Sequence, residues 1–260
     1  MLTATWATQP KAFGFFHIFG IVMMLVSTAL GVIVGKKYKN SSRFENRDKF
    51  VWICGLVMLG VEIFKEAFLA IMGGGYQWNM FPIQICSIPL LLLPFFPLYQ
   101  NKKIKTGVLG CISFVAMTGG AFYFVKPTAA LVTPYIVISL QSFFWHWFLM
   151  FVGAFSIVVF DLVGEQRKGA LIGGFLVFVV LSVVALIGNA LFNNLWPKWG
   201  VNFFWINYAD PDPFYPIMNL VFKSKSPYIV YYIAFLIYFG IGELFICGLA
   251  SLLHKFTVTK

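Results

Sequence analysis

The sequence predicts an all-α membrane protein, one bundle of seven transmembrane helices occupying residues 1–260 as a single domain. Three observations predict it. Hydrophobic residues make up 60% of the chain and charged residues 11%, against roughly 25% charged in soluble domains. The mean hydropathy of +0.85 is too high for disorder, because a chain that apolar does not remain solvated. The apolar residues also gather in seven long runs, each near the roughly 20 residues that a bilayer-spanning helix needs. None of these runs shows the short alternating pattern of a membrane barrel strand.

The runs follow in order. The first, 12–35, is apolar on every face and too long for a secretory h-region, so it reads as a helix. The second, 50–73, is interrupted by Glu62, Lys65 and Glu66. The third, 80–100, contains Pro82, Pro89, Pro94 and Pro97, which make an irregular helix. The fourth and fifth, 104–125 and 135–161, are rich in Phe and Gly. The sixth, 169–192, carries Ser182 and Asn189, and the seventh, 227–253, carries Glu243. The connection 193–226 is the one long loop. Its Trp196, Trp199, Phe203, Phe204, Trp205 and Tyr208 suit the membrane interface. Pro197, Pro211, Pro213 and Pro216 exclude a long helix there. It reads either as an interfacial anchor or as a lid over an outward-facing cavity.

Charge placement sets the expected orientation. Thirteen of the nineteen Lys and Arg fall in the first, third and fifth loops and the C-terminal tail. Basic residues collect on the cytoplasmic side, so the N-terminus is expected outside and the C-terminus in the cytoplasm. This topology accounts for the net charge of +10 without nucleic acid as a partner. Membrane lipids are the expected partners, and the oligomeric state is not legible. Cys54, Cys86, Cys111 and Cys247 lie in apolar runs without CxxC spacing, which excludes a disulfide framework or zinc site by pattern. No cofactor or metal is expected, and no phosphate loop, GxSxG or HExxH occurs.

Polar groups inside the spans are costly and point to function. With a rise of about 1.5 Å per residue, His17, Glu62, Glu66, Gln84, Cys86, His146 and Asn189 fall in or near the outer half of the bundle. That clustering predicts a polar cavity there. Glu62, Lys65 and Glu66, spaced i, i+3, i+4, share a face and read as an ion pair or a charged cavity wall. Gln141, Ser142 and His146 lie together on the fifth run, and His146 is the natural proton carrier. Cys86 alone is an ordinary small hydrophobe. Its depth matches that of His146, and a Cys–His pair makes a thiolate nucleophile. Ser182, Asn189 and Asn193 read as contacts between helices. Glu243 lies in the inner half as a partner or a proton site, and His17 lies near the surface.

The runs Pro82-Ile83-Gln84-Ile85-Cys86-Ser87 and Gln141-Ser142-Phe143-Phe144-Trp145-His146 resemble the YwaF-like family of bacterial integral membrane proteins. So does the aromatic, Asn-bearing stretch with Asn202 and Asn207-Tyr208. The similarity covers essentially the whole chain. That family is in turn distantly similar to eukaryotic multispan lipid acyltransferases related to the androgen-induced fatty-ester hydrolases. The resemblance implies acyl chemistry with Cys86 as nucleophile and His146 as base. Bacterial members often carry a His near the third-helix motif, where this chain has Asn79 and Gln84.

The expectation is therefore a membrane-embedded acyltransferase or lipid hydrolase acting on outer-leaflet esters. Gln84 or backbone N–H groups near Pro82 would hold the oxyanion, with Glu66 orienting His146. The alternatives are a proton-coupled transporter of a small solute, to which an irregular helix and membrane carboxylates also point, and a non-enzymatic sensor or assembly factor. An opsin-type pigment is excluded, because the seventh run has no Lys placed for a retinal Schiff base.

Overall fold

A computed structural model describes residues 5, 10–72, 76, 81–125, 135–207 and 228–258. These residues are almost wholly helical, and a lone bridge between Thr5 and Tyr135 stands outside the helices. The helices are α1 (Phe15–Lys39), α2 (Arg47–Met72), the broken α3 (Ile85–Leu98), α4 (Lys102–Val125), α5 (Ile136–Val159), α6 (Arg167–Leu195) and α7 (Tyr228–Val258). The protein is an integral, multi-pass membrane protein. Five of the helices, α1, α4, α5, α6 and α7, are long and apolar enough to cross a membrane.

The other two predicted spans differ from that description, each for a physical reason. α2 has 26 residues, which is length enough, but carries the charged trio in its middle. The third run is not one spanning helix. It breaks into a 3-10 turn (Ile85–Ser87), one short α-helix (Ile88–Leu92) and a second 3-10 stretch (Leu93–Leu98). Pro89, Pro94 and Pro97 each remove a backbone donor and crowd the preceding turn. Freed backbone is tolerated at such depth only where protein covers it, and Ile88, Leu93 and Phe96 are fully buried.

Glycines set the tight helix crossings. α1 lies along α5, where Gly31 meets the Phe151 carbonyl and Ala154, and Gly35 meets Val158. Gly107 meets Gly173 backbone to backbone, and Gly110 meets the Ala170 carbonyl, so α4 and α6 approach closely. Small residues permit this approach in membranes. α4 also widens to a π-turn at Cys111–Ala116, every residue of which is buried. Such turns are rare insertions in α-helices.

The basic loops meet at one end of the bundle. Lys105 on α4 pairs with Asp48 on α2 at 2.6 Å. Asp161, in the α5–α6 turn, faces Lys39 of α1 at 3.5 Å and His254 of α7 at 3.7 Å, and accepts the Glu165 N–H. Burial raises the Asp161 carboxyl. The Glu165 N–H, Lys39 and His254 together outweigh burial and hold it below its ordinary value. A carboxylate lowered on folding adds stability above its unfolded pKa and loses it as pH falls through the folded one. Wild type should therefore melt progressively lower in detergent as pH falls below about 4, the ordinary carboxylate range. Asp161→Asn should flatten that acid limb. Asp161 has a φ of +53°, which Asn tolerates, so the turn survives the change. Identical acid limbs in the two proteins would rule this clasp out.

Candidate functional site

The segment ahead of α3 is not helical. Gln84 is extended, with φ −121° and ψ 164°, and the 3-10 turn starts after it. Its backbone is met from elsewhere in the chain. Phe204 donates its N–H to the Ile83 carbonyl at 2.9 Å, and the Gln84 amide donates to the Asn202 carbonyl at 3.1 Å. Residues 201–207 thus fold back into the bundle instead of lying along the interface. Val201, Phe203, Phe204 and Ile206 are nearly or fully buried. The rest of the expected lid or anchor, 208–226, lies outside the described residues, as does Asn79.

Two asparagines of α6 hold this return. Asn189 donates to the Phe203 carbonyl at 3.1 Å and accepts the Phe203 N–H at 2.7 Å. Asn193 does the same with Val201 at 2.8 and 2.9 Å. Both read from sequence as contacts between helices, yet both clamp backbone instead. Ser182 does bridge helices, with its hydroxyl 2.7 Å from the Tyr232 hydroxyl on α7. The clamp holds Phe204 and Trp205 at φ +54° and +58°. Each such residue costs of order 1–3 kcal/mol and persists only where its surroundings over-determine it.

Cys86 follows directly, in the 3-10 turn. Its carbonyl accepts the Trp145 indole N–H at 3.1 Å, and it packs with Met58, Leu90 and Trp145. Trp145 is the residue before His146, so this bond ties the Cys86 turn to the α5 motif. His146 is buried, and its Nδ1 lies 2.7 Å from the Ser142 carbonyl. A carbonyl only accepts, so Nδ1 carries the proton and Nε2 of the neutral ring keeps the free lone pair. Tyr123 of α4 stacks on His146, with centroids 3.5 Å apart and planes at 6°, and donates its hydroxyl to Ser142 at 2.7 Å. Tyr123 also lies within electrostatic range of Cys86. Among the described residues no hydrogen bond joins the Cys86 thiol to His146. Glu66 does not hold the imidazole, which Ser142 and Tyr123 orient.

The charged trio stands beside this site, close enough for Glu62 and Lys65 to act electrostatically on Cys86. Lys65 Nζ lies 2.5 Å from Glu62 and 3.0 Å from Glu66. The Glu66 contact is an ion pair without hydrogen-bond geometry. Gln84 Oε1 is likewise buried without a hydrogen bond. Gln141 faces outward into an open groove of about 520 Å³ between α2 and α5.

Two expected residues lie elsewhere. His17, near the start of α1, is fully buried within the bundle. Its Nδ1 accepts the Phe13 N–H at 2.8 Å, so its Nε2 donates to the Phe124 carbonyl at 2.7 Å. Both nitrogens are thereby committed to tying α1 to α4. Glu243 is buried on α7, facing Gly174 of α6, with one oxygen unpartnered. All four cysteines are free thiols. Among the described residues no group of His, Cys, Asp and Glu is arranged to hold a metal ion.

Sequence reasoning missed Tyr123. Its signal was a phenol in a buried stretch, since a buried hydroxyl demands a partner. Trp145 was visible in the motif, but nothing in the sequence disclosed that its indole reaches the Cys86 turn.

A protein-family model, the TMEM164 family, matches residues 12–246. That range holds both motifs, the clamp and most of α7. No curated protein and no solved structure matches the chain.

Proposed function

The chain belongs to the TMEM164 family, and from that premise we propose that it is a membrane-embedded acyltransferase or lipid hydrolase using Cys86 and His146. One observation carries the reading. The Trp145 indole donates to the Cys86 carbonyl, so the turn that carries a free thiol packs against the α5 motif that carries a buried imidazole of fixed tautomer. The YwaF-like resemblance and its link to lipid acyltransferases belong to this proposal, as does the placement of the basic end of the bundle in the cytoplasm.

In the proposed reaction the Cys86 thiol gives its proton to His146 Nε2. The thiolate attacks the carbonyl carbon of a lipid ester, and backbone N–H groups opening the Ile85–Ser87 turn hold the oxyanion. The Gln84 amide is already engaged by Asn202, so it positions the turn instead. The C–O bond breaks, the proton on His146 passes to the departing lysolipid oxygen, and an acyl thioester remains on Cys86. A lysolipid hydroxyl or water then gives its proton to His146 and attacks the thioester carbonyl, the C–S bond breaks, and His146 returns the proton to the departing Cys86 thiolate.

The test compares Cys86→Ala with Cys111→Ala in purified protein incubated with phospholipids. Acyl transfer and a hydroxylamine-labile mass adduct should vanish in the first and persist in the second. Equal activity in both would end the proposal. A second reading, a proton-coupled carrier, draws on the broken α3 beside the buried trio, features that transporters use for substrate and ion sites. Solute uptake into proteoliposomes that is lost in Glu66→Gln, without any acyl adduct, would favour it. A non-enzymatic role would show neither.

A further inference from the structure

The groove between α2 and α5 has a regular construction. α2 contributes Val57, Gly60, Val61 and Phe64, and α5 contributes Val137, Leu140, Gln141 and Phe144. The helices run antiparallel, Phe68 packing on Tyr135 near one end and Phe50 on Phe155 near the other, and the groove takes residues 57–64 of one and 137–144 of the other. The walls thus extend about 10 Å along the helix axes. The lining is apolar except for Gln141. α5 is long and apolar enough to cross a membrane, and the exposed face of α2 beside it carries Leu56, Val57, Leu59, Ile63 and Phe64, an apolar surface suited to lipid chains and not to water.

We propose that this groove seats the hydrocarbon chain of a phospholipid acyl ester and feeds that ester to Cys86. The proposal rests on the acyl-transfer reading and adds the substrate's route. Val61 carries the connection, because it lines the groove and also packs in the cluster that holds Cys86, Met58 and Trp145. The groove and the Cys86 turn therefore border the same small apolar cluster. Gln141 precedes Ser142, whose carbonyl orients His146, so the one polar residue of the lining stands at the level of the reacting groups. Gly60 keeps the groove open. A Cβ added there meets no atom within 4 Å, so its missing side chain is empty groove volume and not a close helix contact.

That emptiness supplies the test. Gly60→Phe fills the groove without disturbing the backbone. Gly248→Phe, on α7, is equally free of contacts and serves as the control. Phosphatidylcholine with a diazirine on one acyl chain is photolysed in nanodiscs holding the Cys86→Ala protein, in which no chemistry occurs. Labelled peptides should concentrate on 57–64 and 137–144 relative to the lipid-exposed Ile233, Ile237 and Ile241 of α7. Gly60→Phe should remove that excess. In protein with Cys86 intact it should cut transfer of long acyl chains by roughly tenfold or more, given the contribution of each buried methylene. Short chains should be spared, and Gly248→Phe should change neither result. Even labelling of α2, α5 and α7 overturns the proposal, as does a groove shielded from the probe by a second copy of the chain. Concentrated labelling without acyl transfer in any variant would leave the groove as a lipid site and remove the catalytic reading.

Discussion

Replacing His146 by Ala is expected to slow formation of the Cys86 acyl adduct by about 10²–10⁴-fold, the range that a positioned general base supplies. The tautomer argument makes this prediction sharper than a simple deletion. Nδ1 is committed to the Ser142 carbonyl at 2.7 Å, so only Nε2 is free to take a proton. Asn at this position can donate to the same carbonyl through its amide but offers no base. His146→Asn should therefore keep the helix contact and lose the chemistry as fully as His146→Ala. Activity retained in His146→Asn would mean that the imidazole only bridges Ser142 and Tyr123. Rates of thioester formation by intact mass, read beside melting temperature, separate the two roles.

That experiment turns on features of unequal legibility. The five helices α1 and α4 to α7 could be read from the chain because each is a run of about 20 or more apolar residues, the length membrane thickness demands; α2 was read as a helix despite its charged trio. The proline-broken third run was legible as irregular but not as three short pieces, since where such a segment breaks depends on what packs around it. The π-turn at Cys111–Ala116 left no trace in the pattern, because one extra residue in a run apolar on all sides shifts no visible face. The proposed partnership of Cys86 with His146 was drawn from helix depth and from the family resemblance. The groups that surround each of them were not legible. Asn189 and Asn193 looked like links between helices, since sequence spacing shows which residues share a face but not which distant backbone meets that face. For His17 only the distance from the helix start could be counted, which gives a depth but not a partner; the Phe124 carbonyl it bonds belongs to α4.

The trio on α2 gives the second large effect, this time on stability. Lys65 bridges Glu62 and Glu66 with its side chain 18% exposed, and the Glu62 side chain is only 6% exposed. Removing one partner of a buried ionic group typically costs about 3–5 kcal/mol, because the remaining charge is stranded. Lys65→Met should therefore lose most of its folded protein in detergent, with a melting temperature well below that of wild type. Neutralising the whole group as Glu62→Gln/Lys65→Met/Glu66→Gln should recover much of that loss, since exchanging an ionic group for neutral residues of similar volume is often near neutral. The triple variant then asks a functional question that the single variant cannot. If it folds and still forms the Cys86 adduct, the trio is a structural brace beside the site. If it folds and forms none, the charges act on the reaction, as their electrostatic reach to Cys86 allows. A triple variant no more stable than Lys65→Met would show that the ions are held by more than one another, and would point to Tyr76, which interacts with Glu66, as the further partner.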